Sequence, residues 1–465
     1  MSLVAIPPAR FTPRQRALLC VLLGAGFMLS VDFSILNVAL PEIGSGVGLD
    51  VSALPWVTTA FVLPAAGFTL VCGRLADTVG RRRMFRSGMA LLVVASLLGG
   101  AATNPELLLT ARVLQGFATA MTLPAALSLL TTSFAEGTAR DRVLGLNGAL
   151  LSGGFTVGSL VGGALVGLLS WRAAFFLNVP VAVAILLATP LLIGESTLPD
   201  RRRLDLPGAA TVSVGLLAVV YAIIERNVTA GVVGGALLVG FWVIERRSPA
   251  PLAPPRILAR RTVAWGNYAG LVIFAMEPAM IYLTTLYLQR IQGLSPLATG
   301  LIFGVPGLAS VVAGMLAGRA VGRFGSRRVL VAGLTVQALA TVPLLFLGPD
   351  RAALWILIPA LFIGFFGHVP AIVAYTVTAT SGLPDEEQGL ATGLTSMTQQ
   401  VAITVGIPVL SAVAATASTE LTGMHLALGV DVVVTLASAA LISLALSPRS
   451  ARRAGRTDHE GDPRD

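Results

Sequence analysis

Three carboxylates, Asp32, Glu277 and Asp431, lie well inside apolar stretches of this 465-residue chain. Carrying a charge into a membrane interior costs about 2.5–3.5 kcal/mol on insertion scales, so each needs a partner, a water-filled cavity or a proton. Arg112, also within an apolar stretch, can partner the first. At a helical rise of about 1.5 Å per residue, Arg112 lies about 9 Å and Asp32 about 12 Å from the same boundary, so the two side chains can meet. A conformational cycle that separates such a pair, or lets a cation compete for the carboxylate, changes how tightly Asp32 holds a proton. The plain alternative is a static ion pair joining two helices. Glu277 has no Arg at its depth. It reads either as a carboxylate open to a ligand or proton, or as a protonated acid bonded to a neighbouring helix. His368 sits mid-helix, where imidazole can titrate near physiological pH; a neutral ring satisfied by backbone or hydroxyl groups is the plainer reading. Asp431 can face either a cavity or the lipid edge.

The elements that must position these residues are long apolar helices. The chain is 55% hydrophobic and only 12% charged, with mean hydropathy +0.83, whereas soluble domains carry roughly 25% charged residues. Runs of about 20 apolar residues, the length that crosses a hydrocarbon core, recur from end to end. They fall near 17–40, 53–73, 84–103, 106–132, 141–168, 172–193, 207–226, 229–246, 262–288, 296–321, 326–347, 352–378, 388–415 and 424–446, predicting 14 transmembrane helices. The net charge of +9 arises without any Lys, the Arg residues clustering between apolar runs. That pattern sets membrane topology and does not describe a nucleic-acid partner. With the N-terminus in the cytoplasm, every Arg except Arg112, Arg172, Arg226, Arg290 and Arg351 lies in or beside a cytoplasmic segment, so both termini are expected there. The N-terminal apolar run is too long for a signal peptide. Cys20 and Cys72 read as free thiols. The sequence has no nucleophile with an adjacent base, metal-ligand cluster or phosphate-binding glycine loop, so no enzyme, metal site or cofactor is expected.

The sequence also repeats itself. GRLADTVGRRRM at 73–84 returns as GRAVGRFGSRRV at 318–329, an offset of 245 residues that matches Gly80 with Gly325 and Arg82 with Arg327. Each copy closes one helix and opens the next across a basic turn. The repeat predicts a six-helix bundle within 1–195, an inserted helix pair within 196–247, a Pro-rich basic cytoplasmic linker at 248–261, a second six-helix bundle within 262–447 and a disordered cytoplasmic tail at 448–465. Parallel six-helix repeats with a substrate path at their interface are a recurrent transporter architecture. The same offset carries Asp32 onto Glu277, one carboxylate per half at the same depth.

SVDFSILNVALP at 30–41, GRLADTVGRRR at 73–83, LTARVLQGFATA at 109–120 and GFTVGSLVGG at 154–163 occur in order and at suitable spacing. On these motifs the chain resembles the major facilitator superfamily, and within it the fourteen-helix branch of drug and proton antiporters. The resemblance implies an all-α polytopic membrane protein of the major facilitator fold, two six-helix bundles with an inserted pair. It implies proton coupling by Asp32 and Arg112, a substrate cavity reached by Glu277 and His368, and a cytoplasmic gate loop of Gly73, Asp77, Gly80, Arg81 and Arg82 that latches the bundles. Gly154, Gly158, Gly162 and Gly163 mark the antiporter-motif helix. The first three repeat every four residues on one face, which permits close backbone contact, and are read as a seam between bundles. Two departures stand out: Thr78 occupies a place where a basic residue is common, and Ser159 one where proline is usual, which bears on the local kink.

The function so implied is proton-coupled export of hydrophobic or amphipathic organic compounds by alternating access. The expected setting is a monomer in the cell membrane, with a small-molecule substrate, protons and the lipid bilayer as its partners. The alternatives are a same-fold carrier dedicated to one metabolite or amino acid, and a non-transporting membrane scaffold or receptor.

Overall fold

The computed structural model describes residues 11–134, 138–194, 206–248, 251, 255–383 and 385–447. No strand occurs among them. The chain runs through α1 (Pro13–Val47), α2 (Pro55–Val79), α3 (Arg81–Gly100), α4 (Pro105–Ser133), α5 (Thr138–Leu168) and α6, which is broken into Trp171–Phe176 and Asn178–Leu192. The inserted pair follows as α7 (Leu206–Ile224) and α8 (Val228–Arg247). The second half contains α9 (Arg261–Leu286), α10 (Pro296–Phe324), α11 (Ser326–Thr341), α12 (Leu354–Thr380), α13 (Asp385–Ala414) and α14 (Glu420–Ala445). Among the described residues 13 helical segments are long and apolar enough to cross a membrane, and α5 adds a shorter apolar stretch, Val157–Leu168. Large apolar side chains such as Leu191, Val228 and Trp355 stand about four-fifths exposed on the outside, a surface that lipid must cover.

Local chemistry sets the helix ends. Thr12 and Gln15 form a reciprocal capping box at α1. Asn104, Ser295 and Thr419 cap α4, α10 and α14 by accepting the backbone amide three residues on, and Pro105 and Pro296 open the first turns of α4 and α10. Gly80, at φ 117°, separates α2 from α3, and Gly325, at φ 82°, separates α10 from α11. Side chains rarely adopt such backbone, so both corners call for glycine. Just after them Arg82 donates to the Ile193 carbonyl at 3.2 Å and Arg327 to the Ser443 carbonyl at 2.7 Å. Each thereby ties its turn to the end of the sixth helix of its own half. The sequence repeat is therefore repeated as geometry.

Two six-helix bundles result, with α7 and α8 packed on each other. The bundles meet along two seams, α5 on α10 and α2 on α13. α7 lies over the second seam and touches both α2 and α13. There Val212 and Leu216 join Leu63 of α2 in an apolar cluster that Met397 and Val401 of α13 complete, and Gly67 makes room for Ser213. The spans differ from sequence expectation mainly at their ends. α1 is longer by a turn or more at the far end, α9 continues into a π-helical turn at Tyr287–Ile291, and α11 tightens into a 3-10 turn at Val342–Phe346. The expected linker at 248–261 is described only in part, and there it holds a single helical turn, Pro255–Leu258. The expected tail at 448–465 lies outside the described residues.

Candidate functional site: two buried polar clusters

Inside the first bundle Arg112 and Asp32 meet, Nη1 to Oδ2 at 3.5 Å, both side chains 1% exposed. They come from α4 and α1. The guanidinium is held on other sides as well. Its Nε donates to the Val57 carbonyl at 3.0 Å, its Nη1 donates to Gln115 Oε1 at 2.7 Å, and its plane lies 4.4 Å from the Phe61 ring centre. Asp32 receives its hydrogen bonds at Oδ1, from Asn178 Nδ2 and from Gln115 Nε2 at 3.5 Å, while Oδ2 has the ion pair and no hydrogen-bond donor. Ser96 Oγ accepts from Gln115 and Asn178, at 3.2 and 3.4 Å.

Sequence reasoning brought Asp32 and Arg112 together by depth. It missed Gln115, Ser96 and Asn178. Gln115 had a readable signal, since three residues after Arg112 is the same helix face. Asn178 opens the second piece of α6 after the break at Leu177, a break that no residue type announces.

A second cluster occupies the other bundle. Glu277 on α9 is 8% exposed, with Oε2 at 3.9 Å from His368 Nε2 on α12. His368 Nδ1 meets Gln337 Oε1 of α11 at 3.0 Å. Asp431 of α14, open between cavity and lipid in the sequence reading, is 1% exposed within the bundle, accepting from Thr435 at 3.0 Å. In each bundle, then, residues of the first, third, fourth and sixth helices converge. Glu277 and His368 sit inside the second bundle, not on the wall of the cavity of about 420 Å³ bordered by Val51, Ile224, Tyr282 and Glu420.

The glycine helix corrects one expectation. Gly154, Gly158 and Gly162 were read as a seam between bundles, but they face α1 of their own bundle. A Cβ on Gly154 would lie 2.9 Å from the Phe27 carbonyl oxygen, on Gly158 2.6 Å from that of Val31, and on Gly162 2.8 Å from Ile35 Cα. The bundle-to-bundle contact lies about 100° round the helix: Gly163 faces Pro296 and Gly300 of α10, where a Cβ would lie 2.7 Å from the Pro296 oxygen. Ser159, in the usual proline place, bonds Ser34 of α1 at 2.8 Å. The backbone that carries Asp32 is thus gripped from behind by α5.

Of the loop residues, Gly73 lies against Pro124 of α4, Gly80 forms the corner, Arg81 is buried and Arg82 reaches Ile193. Asp77 is in α2, and its side chain lies outside the described ones.

Residues 22–407 match the Major Facilitator Superfamily. The chain is 36% identical over 428 residues to a puromycin resistance protein of Streptomyces alboniger, covering 89% of this chain and 84% of that one. It is 37% identical over 400 residues to a cephamycin export protein of Amycolatopsis lactamdurans, covering 83% and 82%. The crystal structure of a peptide transporter with sulfate superposes with a TM-score of 0.71 at 18% identity, covering 96% of this chain and 97% of that one, a likeness of fold alone.

Proposed function

The chain belongs to the Major Facilitator Superfamily, and on that premise we propose that it is a proton-coupled antiporter exporting hydrophobic or amphipathic organic compounds across the cell membrane. Export is supported by relatives named for puromycin resistance and cephamycin export. Membership of a transporter family leaves an enzyme without support.

Coupling rests on one observation, the buried Asp32–Arg112 pair. A proton or a cationic group arriving at Asp32 weakens its hold on Arg112. Gln115, Val57 and Phe61 keep the guanidinium in place meanwhile, so that the carboxylate can be neutralised without leaving a stranded cation. The α1 backbone beside Asp32 is packed on the glycines of α5, so a change of charge at Asp32 reaches the helix that also touches α10. In this reading the two units that rock are residues 1–195 and 262–447, joined through 196–247 and the linker 248–261. The basic face with both termini is cytoplasmic, the loop 73–82 gates that side, Glu277 and His368, closed inside the second bundle in this conformation, meet substrate when the bundles part, and the chain works as a monomer.

The test uses inverted vesicles containing the protein and an imposed proton gradient, acid inside. Adding ethidium or puromycin should drive proton loss from the lumen in wild type and not in Asp32→Asn. Transport that moves the compound and no proton removes the coupling. A carrier dedicated to one compound is the second reading, favoured by the single-compound names of both relatives. A resistance panel that shows protection against one structural class only would select it.

A further inference from the structure

The cavity of about 420 Å³ lies apart from both polar clusters, at the ends of the helices away from the basic turns. Three parts of the chain build it. Val51 and Pro55 come from the start of α2 in the first bundle, Ile224 and Arg226 from the end of α7 and the turn after it, and Leu286 and Met424 from α9 and α14 of the second bundle. Its size falls within the roughly 300–1,000 Å³ of small-molecule pockets. α7 covers this seam on the membrane flank, which leaves the exposed side chains of Arg226 and Glu420 at the mouth.

Arg226 is unusual on two counts. It alone among the described residues has left-handed backbone without being glycine, φ 52°, a conformation that a side chain makes costly and that clusters at functional sites. Glycine would take the turn without that cost, so the cost stands against what the guanidinium does. Its Nη2 donates to the Ala415 carbonyl at the end of α13, at 3.2 Å, and no carboxylate is within ion-pair distance of it among the described residues. The neighbouring acids are engaged elsewhere. Glu420 is paired with Arg290 at 2.9 Å, and Glu225 accepts from Trp56 Nε1 of α2 at 3.4 Å. A guanidinium has five N–H donors in a fixed fork, so one carbonyl leaves most of them to whatever lies at the mouth. Apolar walls thus end in a cation with no counter-charge.

We propose that this cavity binds a free, water-borne amphipathic organic anion, its apolar body among Leu286, Ala412 and Met424 and its carboxylate or sulfonate on Arg226. The binding is non-covalent and needs no proton gradient. Because the walls come from both bundles, an occupant ties them together at this face. That it thereby slows transport rests on the export function proposed above; the binding itself does not.

The test uses the full chain in phosphatidylcholine nanodiscs and two fluorescent probes with one apolar body and opposite charge, dansylglycine and dansylcadaverine, each corrected for uptake by empty nanodiscs. Wild type should bind dansylglycine about tenfold more tightly, the yield of one charge-assisted bond. Arg226→Gln should remove that preference and Arg226→Lys should keep most of it. Ala412→Trp, which fills the cavity and leaves Arg226 in place, should weaken dansylglycine binding. Equal affinity for the two probes in wild type, a preference that persists in Arg226→Gln, or unchanged binding in Ala412→Trp overturns the proposal. If Arg226→Gln does not fold for want of its bond to Ala415, the wild-type comparison and Ala412→Trp decide. Displacement of dansylglycine by dihexanoyl phosphatidylglycerol at lower concentration than by octanoate gives the site to an anionic lipid and overturns the assignment to a free solute. A wild type that moves ethidium without protons would sink the coupling reading above and leave the binding result standing.

Discussion

Arg112 is held by four groups, only one of which is charged: Asp32, Gln115, the Val57 carbonyl and the Phe61 ring. This arrangement separates two roles that a bare ion pair would merge. The neutral partners fix where the cation stands, and the carboxylate is the partner that can be exchanged. Removing one side of a buried pair costs about 3–5 kcal/mol because the other charge is left behind. Asp32→Asn, with three neutral partners still on Arg112, should cost well under that range, whereas Arg112→Ala should pay most of it. Thermal unfolding in detergent compares the two, and equal losses would contradict this division of roles. Gln115→Leu is expected to keep the fold but slow proton-coupled ethidium transport by about tenfold, the effect of roughly 1.4 kcal/mol lost from one charge-assisted bond. A fully active Gln115→Leu protein would show that the amide is only filling space.

At the scale of helices, the glycine pattern of α5 was legible as a demand for a close neighbour, and the neighbour was not. Spacing of four residues names a face, while which helix meets that face depends on the arrangement of the whole bundle. Gly158→Leu should therefore damage the first bundle itself, overpacking against the Val31 backbone by about 1–3 kcal/mol. Gly163→Leu should leave thermal stability nearer wild type and impair transport, since its steric conflict is with α10 across the seam. The reverse order in a melting series would return the glycine face to the position expected from sequence. The same limit explains the polar residues. Asp32 and Arg112 could be paired because charge in a span is conspicuous and depth is countable. Ser96 and Asn178 are ordinary residues whose meeting depends on three helices converging, and Asp431 could not be placed until α14 was seen against α9. The repeat was more informative, since it anticipated Gly80 and Gly325 as equivalent corners, and the Arg82 and Arg327 contacts follow from that equivalence.

For the whole molecule, the far ends of α5 and α10 are pressed together. A Cβ on Gly167 would stand 2.9 Å from Leu297 Cβ, inside the roughly 3.5–4.5 Å that a disulfide spans, so a small parting of the two helix ends seats the bond. With Cys20→Ser and Cys72→Ala removing the two native thiols, Gly167→Cys combined with Leu297→Cys should crosslink under mild oxidation. Transport should stop and return on reduction if this face must open in each cycle. Unimpaired transport by the crosslinked protein would mean that the bundles part elsewhere.

The position of α7 across α2 and α13 breaks the balance between the two seams. One junction of the bundles is roofed by a helix and, behind it, by α8; the other, between α5 and α10, has no such roof among the described residues. On the export function proposed above, a greasy molecule dissolved in the surrounding leaflet is expected to approach the interior by that uncovered flank. Chain tilt, lipid tail length and crowding on that flank should govern how fast cargo is captured, while the same changes on the roofed flank pass unnoticed.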